Sequence, residues 1–302
     1  MRRLGSVIGV ALALSASVAS AQVVRSFNPD DLAPSGKGWG VPSKTPTKAS
    51  GQAAAGTMTF HGGPVMTNAG GTDVYYIWYG PWGSNTAPTI LTNLAQSIGG
   101  TPYFNINTTY YDSANRHVAN AVNYLGSTSV TNYLGNALTD AQVKQVVSDA
   151  ISGGLLPKNT NAIYFVLTPA TVNETSGFCS QYCGWHDHGT IGGSDIKYSF
   201  VGNPDRCPSS CAAQTTSPNG NAGADGMASI ISHELEEAVT DPDLNAWYDR
   251  RGNENADKCA WTFGSTSTLS NGAKYNMTFG GRNWYIQQNW VNSGAGFCAK
   301  SF

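Results

Sequence analysis

The segment ISHELEEAVTDP, residues 231–242, places one histidine and four carboxylates within about three helical turns. Only 12% of the chain is charged, so this concentration needs a reason. Wound as a helix, His233, Glu237 and Asp241 stand at i, i+4 and i+8 and form one row. A histidine and a carboxylate one turn apart can hold zinc, with the glutamate after the histidine as general base. That is the logic of the H-E-x-x-H motif, and here the second histidine is replaced to give H-E-x-x-E. His233 and Glu237 are therefore candidate zinc ligands, Asp241 is a further one, and Glu234 is the candidate base. Glu234 falls inside the stripe Met227, Ile230, Ile231, Leu235 and Ala238, which should face the core. A carboxylate there must be paired, protonated or bound to a cation. The acids also crowd the helix C-terminus, where the macrodipole disfavours negative charge. The competing explanation is an ion pair from Arg250, Arg251 or Lys258, folding back from the following segment.

The other candidate ligands sit in FCSQYCGWHDHGT, where His186 and His188 lie two apart in a loop flanked by cysteines. A cross-linked loop costs less entropy to organise. If it lies beside the motif helix, His186 or His188 completes the site. His61, in FHGGP, is the next candidate, and His117 reads as a structural or surface residue in a helical context. Trp185 and Trp247 could line a carbohydrate-binding groove. There is no G-x-S-x-G nucleophile signature and no phosphate-cradling glycine loop ahead of a helix.

These residues need elements to position them. DVYYIWYGPW (73–82) and AIYFVLTP (162–169) read as buried strands, each stopped by proline. IKYSFVG (196–202) reads as an edge or half-buried strand. APTILTNLAQSIGG and TDAQVKQVVSDAISGG read as helices, the second capped by Thr139, and VANAVNYLG reads as a short third. The motif helix should start at Gly226 behind an Asp225 cap and stop at Asp241, because Pro242 biases its predecessor out of the helical region. KYNMTFGGRNWYIQQNW reads as a hairpin around Gly280 and Gly281. Strands alternating with helices imply an α/β or α+β layered fold, a mixed sheet with packed helices.

The chain begins MRRLGSVIGVALALSASVASAQ, two arginines, an apolar run and a small-residue site at Ala19–Ala21. This predicts a signal peptide over 1–21 and a secreted product. Residues 22–56, rich in proline, glycine and serine, read as a flexible leader or propeptide, and 57–302 as the domain. Loss of Arg2 and Arg3 takes the formal charge from −2 to −4. This gives no electrostatic case for nucleic acid, and no later run is long enough to span a membrane. In an exported chain the six cysteines Cys179, Cys183, Cys207, Cys211, Cys259 and Cys298 predict disulfides, in one of 15 pairings. Four thiolates on zinc are the alternative for the two C-x-x-x-C pairs. Asn107, Asn173 and Asn276 lie in Asn-x-Ser/Thr sequons, sites of glycosylation in a eukaryotic host.

In order, FHGGPVM, IWYGPW, FC…CGWHDHG, KYSFVGNPDRCPSSC and GADGMASIISHELEEAVTDP resemble the phosphate-induced protein 1 / EXORDIUM family over about 57–302. The resemblance implies an extracellular or wall-associated protein of no established chemistry. Plant members share the segment here holding Phe178, Cys179, Cys183, Gly184 and His186, and the one holding Cys207, Pro208 and Cys211. They generally lack the H-E-x-x-E pattern, complete here at His233, Glu234 and Glu237. The order of elements also resembles a zincin-type metallopeptidase domain, by fold analogy alone. The expectation is a secreted protein with a zinc site, acting as a peptidase-like hydrolase on a peptide or cell-wall substrate. The alternative is a non-catalytic signalling or wall-associated protein with a structural metal.

Overall fold

A computed structural model describes residues 31–37 and 57–302. The signal peptide and most of the expected leader lie outside these residues. Eight elements build the frame. They are β1 (Thr72–Tyr79), α1 (Ala87–Ser97), β2 (Val122–Val130), α2 (Asp140–Ser152), β3 (Ala162–Thr168), β4 (Gly184–Ile191), β5 (Ser194–Gly202) and α3 (Ala222–Thr240). The strands form one sheet in the order β2-β1-β3-β5-β4, parallel except for the antiparallel β4–β5 hairpin. β3 is buried at every position and β1 at all but Asp73. Their continuous apolar and aromatic runs are what a sheet covered on both faces requires. α2 carries a capping box in which Thr139 accepts from the Gln142 amide and the Gln142 side chain accepts from the Thr139 amide.

Two expected elements are corrected. VANAVNYLG is not a helix. Most of it enters β2, parallel to β1 with Val74 opposite Tyr124, where pairing with a buried strand outweighs the weak helical spacing of Val118, Val122 and Leu125. The 196–202 strand is not at the edge, because it lies between β3 and β4. The hairpin at Gly280 and Gly281 forms as expected, Met277–Phe279 pairing with Arg282–Trp284.

α3 starts one turn earlier than expected. Asn221 is the N-cap, its side chain accepting from the Ala224 amide, while Asp225 instead accepts from Ser217 and Asn219. It ends at Thr240, as Pro242 requires. From Met227 to Thr240 every residue is buried. One side lies against β4 and β5, α1 packs on another, and the C-terminal segment covers part of the rest. Asn255 donates to the Glu236 carbonyl at 3.2 Å, and the Gln287 amide donates to Ser229 Oγ at 3.0 Å. A helix with carboxylates on more than one face is thus enclosed all round, not amphipathic.

The cysteines pair as Cys179–Cys207, Cys183–Cys211 and Cys259–Cys298, with none free. This corrects the four-thiolate alternative. The first two tie the turn entering β4 to the turn after β5, and each closes a 28-residue interval. An isolated link of that span is worth about 3–4 kcal/mol against the unfolded chain. No helix among the described residues is long and apolar enough to cross a membrane.

Candidate metal centre

Gly184 sets how closely the sheet approaches α3. A Cβ there would meet Ile230 Cγ2 at 2.5 Å and Glu234 Oε1 at 3.1 Å. The close approach carries His186, two residues on, over the middle of the helix. His186 Nδ1 lies 3.5 Å from Glu234 Oε2 and 3.6 Å from Glu237 Oε2, and His186 Nε2 lies 3.5 Å from Glu254 Oε1. All four side chains are at most 1% exposed. Neither His186 ring nitrogen, neither Glu234 oxygen, nor Glu237 Oε2 or Glu254 Oε1 has a hydrogen-bond partner among the described residues.

These separations are too long for hydrogen bonds. The two at His186 Nδ1, from Glu234 and Glu237, suit ligands sharing one ion, since two atoms each about 2.0–2.1 Å from a tetrahedral zinc stand about 3.4 Å apart, whereas Glu254 faces the other ring nitrogen. His186, Glu234 and Glu237 form a group whose ligand atoms lie mutually within 4.8 Å. Burial holds His186 down to about 4, so at neutral pH its imidazole is uncharged and can ligate. Burial raises Glu234 well above the usual carboxylate range, against the opposing pull of His233. Burial, then the charge of Asp257, pushes Glu237 up to about 7. Glu254 is likewise raised by burial and by its acidic neighbours. Among the described residues no lysine or arginine forms an ion pair with Glu234, Glu237 or Glu254. Lys258 pairs instead with Asp249 at 3.3 Å and lies 4.4 Å over the Trp290 ring.

His233 reaches the other side of Glu237. Its Nε2 is 3.0 Å from Glu237 Oε1 and 3.5 Å from Asp257 Oδ1. Gln287 Nε2 faces His233 Nδ1 at 2.8 Å and donates to the Ala256 carbonyl at 3.0 Å. A donor facing Nδ1 puts the proton of a neutral ring on Nε2. Burial lowers the ring's basicity, but Glu237 and Asp257 outweigh it and hold His233 well above its ordinary value. Either form carries a proton on Nε2, the nitrogen on the Glu237 side of the ring.

The remaining candidates lie elsewhere. His188 is on the same face of β4, nearer the helix end, with Nδ1 at 2.8 Å from Asp195 and 3.6 Å from Asp243. Lys197 pairs with both of these acids. Asp241 Oδ1 accepts the Asn245 and Ala246 amides at 2.6 Å each, closing the turn after the helix. His61 stacks on Tyr248 with ring centroids 3.5 Å apart and meets Asp31 at 3.2 Å. His117 is exposed and bonds the Thr108 carbonyl, in a bridged loop rather than a helix. Trp185 and Trp247 are core residues, 2% and 4% exposed, so neither lines a groove. Asn107 is fully buried, and both amide atoms of Asn276 are hydrogen bonded inside the fold, which removes these two sequons as glycan sites. Gln287 was missed because it falls in the expected hairpin segment, and Glu254 and Asp257 because RRGNENADKC reads as a turn-rich stretch. The usable signal was Cys259, which pins this loop as the other cysteines pin His186.

The profile described as "Phosphate-induced protein 1 conserved region" matches residues 58–278. Protein EXORDIUM-like 3 of Arabidopsis thaliana is 30% identical over 273 residues, covering 77% of this chain and 80% of its own. Protein EXORDIUM-like 5 of the same plant is 28% identical over 274 residues, covering 77% and 75%. Protein PHOSPHATE-INDUCED 1 of Nicotiana tabacum is 27% identical over 222 residues, covering 63% and 67%. No solved structure matches the chain.

Proposed function

We propose that this chain, which belongs to the phosphate-induced protein 1 family, is a secreted protein built around a buried zinc centre held by His186, Glu234 and Glu237, with Glu254 beside them. The observation that carries this reading is the set of buried nitrogens and oxygens with no hydrogen-bond partner, spaced as ligands of one ion are spaced. Burying carboxylates is costly without a cation; His233 stands against Glu237 Oε1, and no described lysine or arginine forms an ion pair with Glu234, Glu237 or Glu254. Three disulfides and the signal-like start agree with export. Three protein ligands converge at His186 Nδ1, Glu254 lies at the other ring nitrogen, and all four groups are enclosed.

In this reading His233 is a positioning residue. Its Nε2 stands 3.0 Å from Glu237 Oε1 as an ion-pair partner and its other nitrogen faces Gln287, so it steadies the carboxylate as outer-shell partners of metal ligands do. Asp257 adds a second hold, its amide donating to the same oxygen at 3.0 Å.

A second reading, zincin-like peptide hydrolysis, is favoured by one observation. His186 and His233 approach opposite oxygens of Glu237, which would leave Glu234 as base beside a ligand set of His186, His233 and Glu237. Zinc bound there would lower the pKa of a bound water towards about 7. Glu234→Gln separates the readings. Loss of zinc makes Glu234 a ligand. Retained zinc with loss of peptide cleavage makes it the base.

A further inference from the structure

Residues 31–37 of the expected leader meet the outer edge of β4 at one point. The His186 amide donates to the Gly36 carbonyl at 2.8 Å. An edge strand presents free amides and carbonyls that another extended chain can pair with. Burial along the segment alternates, with Pro34 and Gly36 inward and Ala33 and Ser35 outward, the period of an extended chain. Both ends are tied. The Leu32 amide donates to the Arg250 carbonyl at 3.2 Å. Lys37 Nζ reaches Asp140 Oδ2 and Ser176 Oγ, each at 2.8 Å, and stands 5.0 Å over the Tyr182 ring.

The fit at Gly36 is specific. Its φ is +66°, and a Cβ there would fall 2.1 Å from the His186 carbonyl oxygen, so a side chain is excluded twice over. Asp257, the most exposed carboxylate around His233 and Glu237 at 24%, lines the same depression as Leu32, Ala33, Ser35 and Lys37. The segment therefore crosses the side from which the His/Glu cluster comes nearest to solvent.

We infer that residues 31–37 fill, within one chain, a groove that receives an extended peptide. The His186 amide on the β4 edge holds the peptide backbone, the slot beside it takes glycine, and Asp140 takes a basic side chain one residue later. While the segment is docked it closes the metal centre, and only this second part rests on the zinc reading above. A peptide of the same chemistry, small residues followed by a lysine or arginine, is the partner that the groove fits once the segment is displaced.

The test uses the full chain and two variants that weaken docking by different means. Gly36→Val clashes with the His186 carbonyl, and Lys37→Glu places like charge against Asp140 without altering the backbone. The probes are a fluorescent peptide with the sequence of residues 31–37, and the rate at which a chelator strips zinc. The variants should bind the peptide at least tenfold more tightly than wild type. They should lose zinc at least tenfold faster, and added peptide should slow that loss. If Gly36→Val does not fold, Lys37→Glu carries both measurements. Peptide binding that is equal in all three proteins, or absent from all, overturns the groove. Selective peptide binding with an unchanged chelation rate overturns the closure. Selective peptide binding in proteins that hold no zinc supports the groove and overturns the zinc reading instead.

Discussion

His186 and His188 stand two residues apart on one face of β4 and meet opposite electrostatic surroundings. His188, about one-third exposed, sits with Asp195 and Asp243 around Lys197. Burial pulls the Asp195 carboxyl up, but hydrogen bonds from Lys197 and His188 outweigh it and hold the group below the usual range. The cluster carries its own cation and has water nearby. His186 sits with Glu234, Glu237 and Glu254, all enclosed, and these carboxyls are pushed up rather than down. The residue types are nearly the same in both clusters. Acids near a histidine therefore say little about metal binding. What distinguishes the sites is whether the protein supplies a countercharge and hydrogen bonds for the groups it buries.

The largest effect should come from swapping the two histidines' fates. His186→Ala should abolish zinc binding, while His188→Ala should leave it unchanged, as measured by metal content after gel filtration. Equal loss in both variants would erase the distinction between the clusters.

The next effect is pH dependence without metal. Glu237 titrates at about 7 in the fold against an ordinary 4.5. The folded state therefore binds the proton more tightly than the unfolded one. Stability from this group is present below about 4.5 and is lost as pH rises through about 7, on the order of 3 kcal/mol. Metal-free protein should show a Tm that falls over that window, and zinc should flatten the fall. A metal-free Tm that rises from pH 4.5 to 7 would mean that these carboxylates are paired after all.

His233→Ala should weaken zinc about 10–100-fold without abolishing it, the scale of lost outer-shell support. Competition against a chelator of known affinity reads this directly, and complete loss would make His233 a ligand. The smallest effect belongs to the exposed cluster. Lys197→Met should cost only about 0.5–1 kcal/mol in denaturant unfolding, because its partners are partly solvated.

The frame was legible where the pattern was strong. β1 and β3 are unbroken apolar runs, and α2 has its cap and stripe in plain view. β2 was misread because an edge strand in a parallel sheet takes its identity from its neighbour, and Val118, Val122 and Leu125, at i, i+4 and i+7, gave a false helical period. In the site, the spacing of His233, Glu234 and Glu237 was readable, as was the approach of His186 to the helix. The division of labour was not. That Lys197 neutralises the His188 cluster depends on β4–β5 pairing, and that Asp241 commits Oδ1 to two backbone amides depends on the turn after α3. Glu254 and Gln287 reach the site across long sequence gaps, which no local pattern encodes.

The account stands most directly on the metal content of the purified chain. Protein expressed into an oxidising compartment, freed of loosely bound ions and analysed by mass spectrometry of its metals, should contain about one zinc per chain, absent from His186→Ala. A wild-type chain that is folded, fully disulfide-bonded and metal-free, and that gains no thermal stability from added zinc at neutral pH, would contradict it.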